Sequence, residues 1–224
     1  MNRRLEAIAA LVRNGKGLID VGTDHGYLPA SLTAAGYGGR LFASDIKEGP
    51  LMAAKRTAAE AGVSERIRFL LCDGLSLCPA EEIDTIVIAG MGGDLIVKIL
   101  DEAEWCLDGR YHLILQPMTK AEVLRYWLIY NGFGIQEEIL AEDAGRLYQI
   151  LSARYGVETK LNDAELFLGK RSLSQSPALY ARELKVLHER FSHALSAMEG
   201  RDGGARAELY REICQQLEEL ETTA

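Results

Sequence analysis

Gly17-Leu18-Ile19-Asp20-Val21-Gly22-Thr23-Asp24-His25-Gly26-Tyr27-Leu28-Pro29 is the stretch on which the fold turns. Its first five residues, apolar and β-branched around one acid, predict a short strand. Gly22 and Gly26 bracket a tight loop, and Tyr27–Ala35 takes up a helical pattern that Gly36 stops. Upstream, Leu5, Ile8, Ala9, Leu11 and Val12 share one face of a helix over 4–13, ended by Asn14-Gly15. Downstream the strand-and-helix unit recurs. Arg40–Asp45 reads as a second strand, Pro50–Ala61 as an alanine-rich helix closed by Gly62, and Ile67–Cys72 as a third strand. Ile83–Ala89 makes a fourth strand and Leu113–Leu115 a fifth before Gln116-Pro117, with helices at about 93–104 and 120–130 between and after them.

Strands that are apolar throughout are covered on both faces, so this alternation predicts a parallel, doubly wound, Rossmann-like α/β sheet. Phe133–Glu142 and Leu147–Tyr155, joined at Asp143-Ala144-Gly145-Arg146, predict a closing antiparallel pair. Beyond residue 159 the strand signal ends. After a connection over Ser172–Pro177, Tyr180, Leu184, Leu187, Phe191, Leu195 and Met198 recur at spacings of three and four, as do Leu209, Ile213, Leu217 and Leu220. With Gly200–Gly204 as the turn, they predict an antiparallel coiled-coil hairpin. The expected division is a catalytic domain over 1–158 and a helical extension over 159–224.

The formal net charge of −8 argues against a surface that attracts nucleic acid everywhere, and leaves room for a local basic patch. No apolar run reaches the roughly 20 residues of a membrane span, and MNRRLEAIAALVRNG is too polar for a signal peptide, so a cytoplasmic protein away from membranes is expected. Cys72, Cys78, Cys106 and Cys214 form no C-x-x-C pair and read as free, mostly buried thiols. His188 and His193 stand five apart, off a common helical face, and no metal site is expected.

The loop after the first strand does not have G-x-G-x-x-G spacing, because its second glycine falls four residues after the first. Residues 20–30 hold no Lys or Arg to face a pyrophosphate, which disfavours a nicotinamide or flavin dinucleotide. An acid before a glycine turn suits the amino-acid end of S-adenosylmethionine instead. Asp45 ends the second strand, where a carboxylate can accept from both ribose hydroxyls, and Asp73-Gly74 follows the third, where an acid can pair with the adenine amino group. The plainer role for these acids is as helix caps and turn residues.

Taken together, Asp20–Pro29, Gly49-Pro50, Asp73-Gly74, Ile88-Ala89-Gly90-Met91-Gly92-Gly93 and Leu115-Gln116-Pro117 resemble the bacterial tRNA (adenine(22)-N1)-methyltransferases, in order, from about residue 4 to 155. The resemblance implies a class I S-adenosylmethionine-dependent methyltransferase fold with a C-terminal helical hairpin, and methyl transfer to N1 of an adenine in the tRNA D-arm. It implies Asp20, Gly22, Asp24, Asp45, Ile46, Asp73, Gly74 and Gly90 at the cofactor. Tyr27, Gly92, Gly93, Gln116 and Pro117 are expected at the substrate, with Asp24, His25 and Met91 nearest the reaction. Asp24 stands where a generic first motif more often has a third glycine, which would put a carboxylate between cofactor and acceptor. His25 either contacts the base or caps a helix. Met118 and Tyr148-Gln149 depart from the family pattern, where a polar residue and Tyr-Glu are expected.

Lys170, Arg171, Arg182, Lys185 and Arg190 are candidate phosphate contacts that alternate with Glu183 and Glu189. The expected partner is tRNA, and the chain a monomer or weak dimer. Rival readings are a methyltransferase for another acceptor and a noncatalytic RNA- or protein-binding module.

Overall fold

The computed structural model of the protein describes residues 2–156, 158–198 and 204–222. Helix α1 (Arg3–Leu11) starts at Asn2, whose side chain accepts from the Leu5 N–H, and buries Ile8 and Leu11. Strand β1 (Gly17–Val21) leads to α2 (Tyr27–Ala34), then β2 (Arg40–Asp45), α3 (Glu48–Glu60) and β3 (Ile67–Leu71). There follow β4 (Thr85–Gly92), α4 (Gly93–Asp101), β5 (His112–Thr119) and α5 (Ala121–Tyr130), and the hairpin β6 (Phe133–Asp143) and β7 (Arg146–Tyr155). Helices α6 (Asp163–Leu168), α7 (Pro177–Ser196) and α8 (Gly204–Thr222) complete the described chain.

The seven strands lie in the order β3-β2-β1-β4-β5-β7-β6. β1 to β5 are parallel, while β7 inserts antiparallel between β5 and β6. The hairpin turn that makes this possible has Ala144 and Gly145 at φ 49° and 76°, the left-handed pair that matches strand twist. Alternate residues of each central strand feed opposite layers. Ile19, Ile86, Ile88, Leu113 and Leu115 pack in one, and Leu18, Val87 and Ile114 in the other, which is why the strands are apolar throughout. Successive strands are added to one side of β1 as far as β3 and to its other side from β4 onward, and that switch point between β1 and β4 opens a crevice at the strands' carboxyl ends.

Two strands run past their expected ends. β4 continues through Gly90 and Met91 to Gly92, and β5 through Gln116 and Pro117 to Thr119. Their pairing is irregular between Ala89 and Gly92, and Pro117 pairs there with Met91. A proline without an N–H is tolerated where the ladder is broken, so Gln116-Pro117 marks a bulge and not a strand end.

Helices α6, α7 and α8 share one apolar cluster, built from Leu168, Tyr180, Leu184, Leu187, Phe191, Ile213 and Leu217 with Leu140 of β6. The contacts Phe191–Tyr210, Ser192–Cys214 and His188–Glu221 set α7 and α8 antiparallel. Leu209, expected in the stripe, is exposed, and Tyr210 packs in its stead. Of the expected turn over Gly200–Gly204, residues 200–203 lie outside the described residues and Gly204 opens α8. α6 had no counterpart in the sequence reading. It is capped by Asn162 and Glu165, and Arg125 ties it to the sheet. That guanidinium, wholly buried, is held by Glu138 and Gln149 and donates to the Leu166 and Phe167 carbonyls. Gln149 also donates to the Phe167 carbonyl, which a glutamate at this position could not do while ionised.

Candidate functional site

The loop after β1 is held by its own polar groups. Thr23 Oγ1 donates to Asp20 Oδ2 at 2.6 Å, the Thr23 N–H reaches the Ser44 carbonyl at 2.9 Å, and the Asp24 N–H reaches Asp45 Oδ2 at 3.4 Å. Gly22 and Asp24 have φ of 68° and 53°, so the backbone curls left-handed twice within three residues. Asp is one of the few side chains that tolerates that conformation, so Asp24 can replace a glycine there. Asp20 is buried, and desolvation raises its carboxyl from 3.8 to about 7, offset in part by the Thr23 hydroxyl and by Arg4.

Two chambers open on either side of this loop. One, of about 260 Å³, is lined by Ser44, Asp45, Ile46, Asp73, Gly74, Met91, Leu95 and Ile99. The other, of about 370 Å³, is lined by Asn2, Arg4, Asp20, Thr23, Asp24, His25 and Tyr27. They share Gly22, Ala89 and Gly90 as a common wall. In the larger chamber the His25 and Tyr27 rings stack with centroids 5.4 Å apart, and both side chains are half exposed.

All eight residues expected at the cofactor therefore border one chamber or the other. Of those expected at the substrate, Tyr27 lines the larger chamber beside Asp24 and His25. Met91 faces the smaller one, with its Cε over Gly22 where a side chain on that glycine would have to go. Gly92 backs on Thr119 Oγ1, and Gly93 is buried against the Lys120 backbone. Gln116 is fully buried and its amide is spent: Oε1 accepts from Arg4 Nη1 at 2.6 Å and from the Gly90 N–H at 3.2 Å, while Nε2 donates to the Pro117 carbonyl. Gln116, Pro117, Gly92 and Gly93 thus shape the wall from behind.

Arg4 is the residue that sequence reasoning missed. It brings to the larger chamber the positive charge that residues 20–30 lack, from a helix about sixteen residues earlier whose spacing marks it only as amphipathic. Its guanidinium also lies 5.6 Å over the ring of Tyr148. Met118 is partly exposed, its sulfur 3.7 Å from the Gln116 amide nitrogen. Among the described residues no cluster of His, Cys, Asp and Glu could hold a metal ion, and no helix is long and apolar enough to cross a membrane.

Residues 1–151 match the family model described as a methyltransferase domain. The tRNA (adenine(22)-N(1))-methyltransferase of Bacillus subtilis is 35% identical over 156 residues, which span 70% of this chain and 66% of that protein, just under two thirds of its length. A solved structure, a putative tRNA (m1A22) methyltransferase of Streptococcus pneumoniae, superposes with a TM-score of 0.87 at 31% identity and covers 99% of both chains. The chain belongs to the tRNA (adenine(22)-N1)-methyltransferase family. The Streptococcus pneumoniae protein has also been solved in complex with S-adenosyl-L-methionine, with a TM-score of 0.84 to this chain.

The donor set of this methyltransferase suits that cofactor. The smaller chamber offers two carboxylates with no cation, a match for hydroxyl and amino donors and a mismatch for phosphate. Ser44 Oγ, buried on its wall, has no hydrogen-bond partner of its own. The exposed Ile46 with Leu95 and Ile99 supplies apolar surface for a flat ring. In this family member the smaller chamber fits the adenosine end, and the Asp20–Asp24 loop between the chambers fits the amino-acid end.

Proposed function

We propose that this chain transfers the methyl group of S-adenosylmethionine to N1 of adenine 22 in the D-arm of tRNA. The observation that carries the reading is the junction at Gly22 and Gly90, where a carboxylate-lined adenosine chamber meets a chamber that holds a carboxylate beside stacked rings. The full-length likeness to a putative tRNA (m1A22) methyltransferase supports the choice of acceptor.

Asp45 accepts from the ribose hydroxyls, Asp73 from the adenine amino group, and Asp20 with Gly22 holds the amino-acid end. Once bound, the cofactor supplies a methyl group made electrophilic by its sulfonium. Adenine N1 carries a lone pair at neutral pH, so no residue need remove a proton first, and positioning dominates. Tyr27, stacked on His25 at the chamber mouth, offers a flat face for the base. Asp24 accepts from the exocyclic amine and stabilises the positive charge that the base gains.

N1 lies on the Watson–Crick edge, so the base must be exposed or turned out, at roughly a few kcal/mol. Contacts elsewhere on the tRNA must offset that cost. In the helical arm, Arg182 pairs with Glu142, Arg190 lies over Phe167 and Phe191, and Lys170 donates to the Lys160 carbonyl. These cations serve the arm's own packing as well as any phosphate. Lys185 is exposed with no partner among the described residues.

The test is transfer of labelled methyl from S-adenosylmethionine to tRNA lacking the modification, followed by nuclease digestion. Recovery of 1-methyladenosine, lost when adenine 22 is replaced by guanine, is the expected result. Cofactor binding without labelled RNA would point to another acceptor or to a binding module.

A further inference from the structure

The larger chamber holds charges of both signs facing each other. Asp20 lies on one side, and Arg4 of α1 is near enough to hold its carboxyl down against burial. Arg4 spends one N–H on Gln116 and makes no other hydrogen bond among the described residues, although a guanidinium carries five such groups. It is partly buried, and its place is set twice, by the Gln116 amide and by the Tyr148 ring. A fixed, partly desolvated guanidinium with free donors is matched to a carboxylate, which it can grip through two parallel hydrogen bonds.

We propose that Arg4 binds the carboxylate of the cofactor's amino-acid end, so that α1 closes the cofactor site and a zwitterion sits between Arg4 and Asp20. The assignment rests on the cofactor reading above. The ammonium goes to the acid of the β1 loop and the carboxylate to the base of α1, and the shared wall at Gly90 lies beneath both. Gln116, which bridges Arg4 and the Gly90 N–H through one oxygen, couples the placement of this charge to the wall between the chambers.

The experiment compares two ligands by titration calorimetry. S-adenosylhomocysteine has the amino-acid end, and 5′-methylthioadenosine has the same adenosine and sulfur without it. Arg4→Ala is expected to weaken S-adenosylhomocysteine about tenfold to a hundredfold, the span of a charge-assisted pair, and to leave 5′-methylthioadenosine within about threefold. Arg4→Gln retains an N–H for Gln116 without the charge, and should show the same selective loss, with circular dichroism matching the parent. Equal losses for both ligands would mean that Arg4 only props the wall, and would overturn the proposal. No loss for either would overturn it as well. A parent protein that binds neither ligand would bring down the cofactor reading itself, a distinct failure.

Discussion

Two glycine-bearing edges meet at this site, and they need glycine for different reasons. In the loop after β1, Gly22 and Asp24 adopt left-handed backbone, and the curl puts carboxylates and N–H groups around a small volume. At the β4–α4 junction, Gly93 needs room instead: a Cβ there would collide with the Lys120 carbonyl oxygen and lie 2.9 Å from its carbon. The first edge is shaped to face a ligand and the second to let two strand-to-helix turns pass. Similar motifs in sequence therefore have different work, conformation in one and clearance in the other.

That contrast can be broken by substitution. The largest effect is expected for Gly93→Ala, which sets side chain against backbone and should lower unfolding free energy by about 3 kcal/mol in denaturant titrations. A loss under about 0.5 kcal/mol would mean the junction has slack that its geometry denies. Next come Asp24→Asn and Asp24→Gly, both compatible with the left-handed backbone. Turnover should fall about a hundredfold while melting temperature stays within a few degrees; near-parental rates would remove Asp24 from the chemistry. Gly22→Ala is expected to cost about tenfold in S-adenosylmethionine affinity, since its Cβ meets the flexible Met91 Cε and its φ strains the backbone. Adding Met91→Ala should recover the steric share and leave the strain, and full recovery would show that conformation contributes nothing.

The smallest effect is in pH. Asp20, raised by burial from 3.8 to about 7, keeps its proton more readily folded than unfolded. The free protein therefore loses stability as pH rises between those values. An ammonium beside Asp20 favours the ionised acid, so cofactor affinity should rise severalfold as pH passes upward through 7, with proton uptake by buffer on binding. Asp20→Asn should flatten that profile. An unchanged profile would place the titration elsewhere.

The parallel sheet was legible because β1, β4 and β5 are buried on both faces and carry apolar residues at every position that matters. The place of the crevice was legible because Asp20, Asp45 and Asp73 interrupt apolar strands at their carboxyl ends, and all three line the chambers there. The ends of β4 and β5 were not, because a bulge lets glycine and proline stay in a strand that they usually terminate. For Gln116, expected at the substrate, sequence shows an amide beside a site but not that Arg4, Gly90 and Pro117 engage it. Arg4 was invisible for a related reason, since its role comes from where α1 crosses the sheet edge. Helix α6 is a short segment whose cue, a capping box at Asn162 and Glu165, is local, while its anchorage comes from the distant Arg125 and from the apolar cluster it shares with α7 and α8.

Arg125 draws its partners from two separate stretches of the chain. Its ion-pair partner Glu138 and its amide partner Gln149 leave the ribosome before the Leu166 and Phe167 carbonyls do. The sheet thus neutralises the guanidinium through Nε and Nη2, and the carbonyls at the end of α6 take up Nη1. In a chain cut after residue 155 the guanidinium would keep Glu138 and Gln149 and lose both carbonyls, while Leu140 and Leu147 of the hairpin would lose the apolar cover of the C-terminal helices.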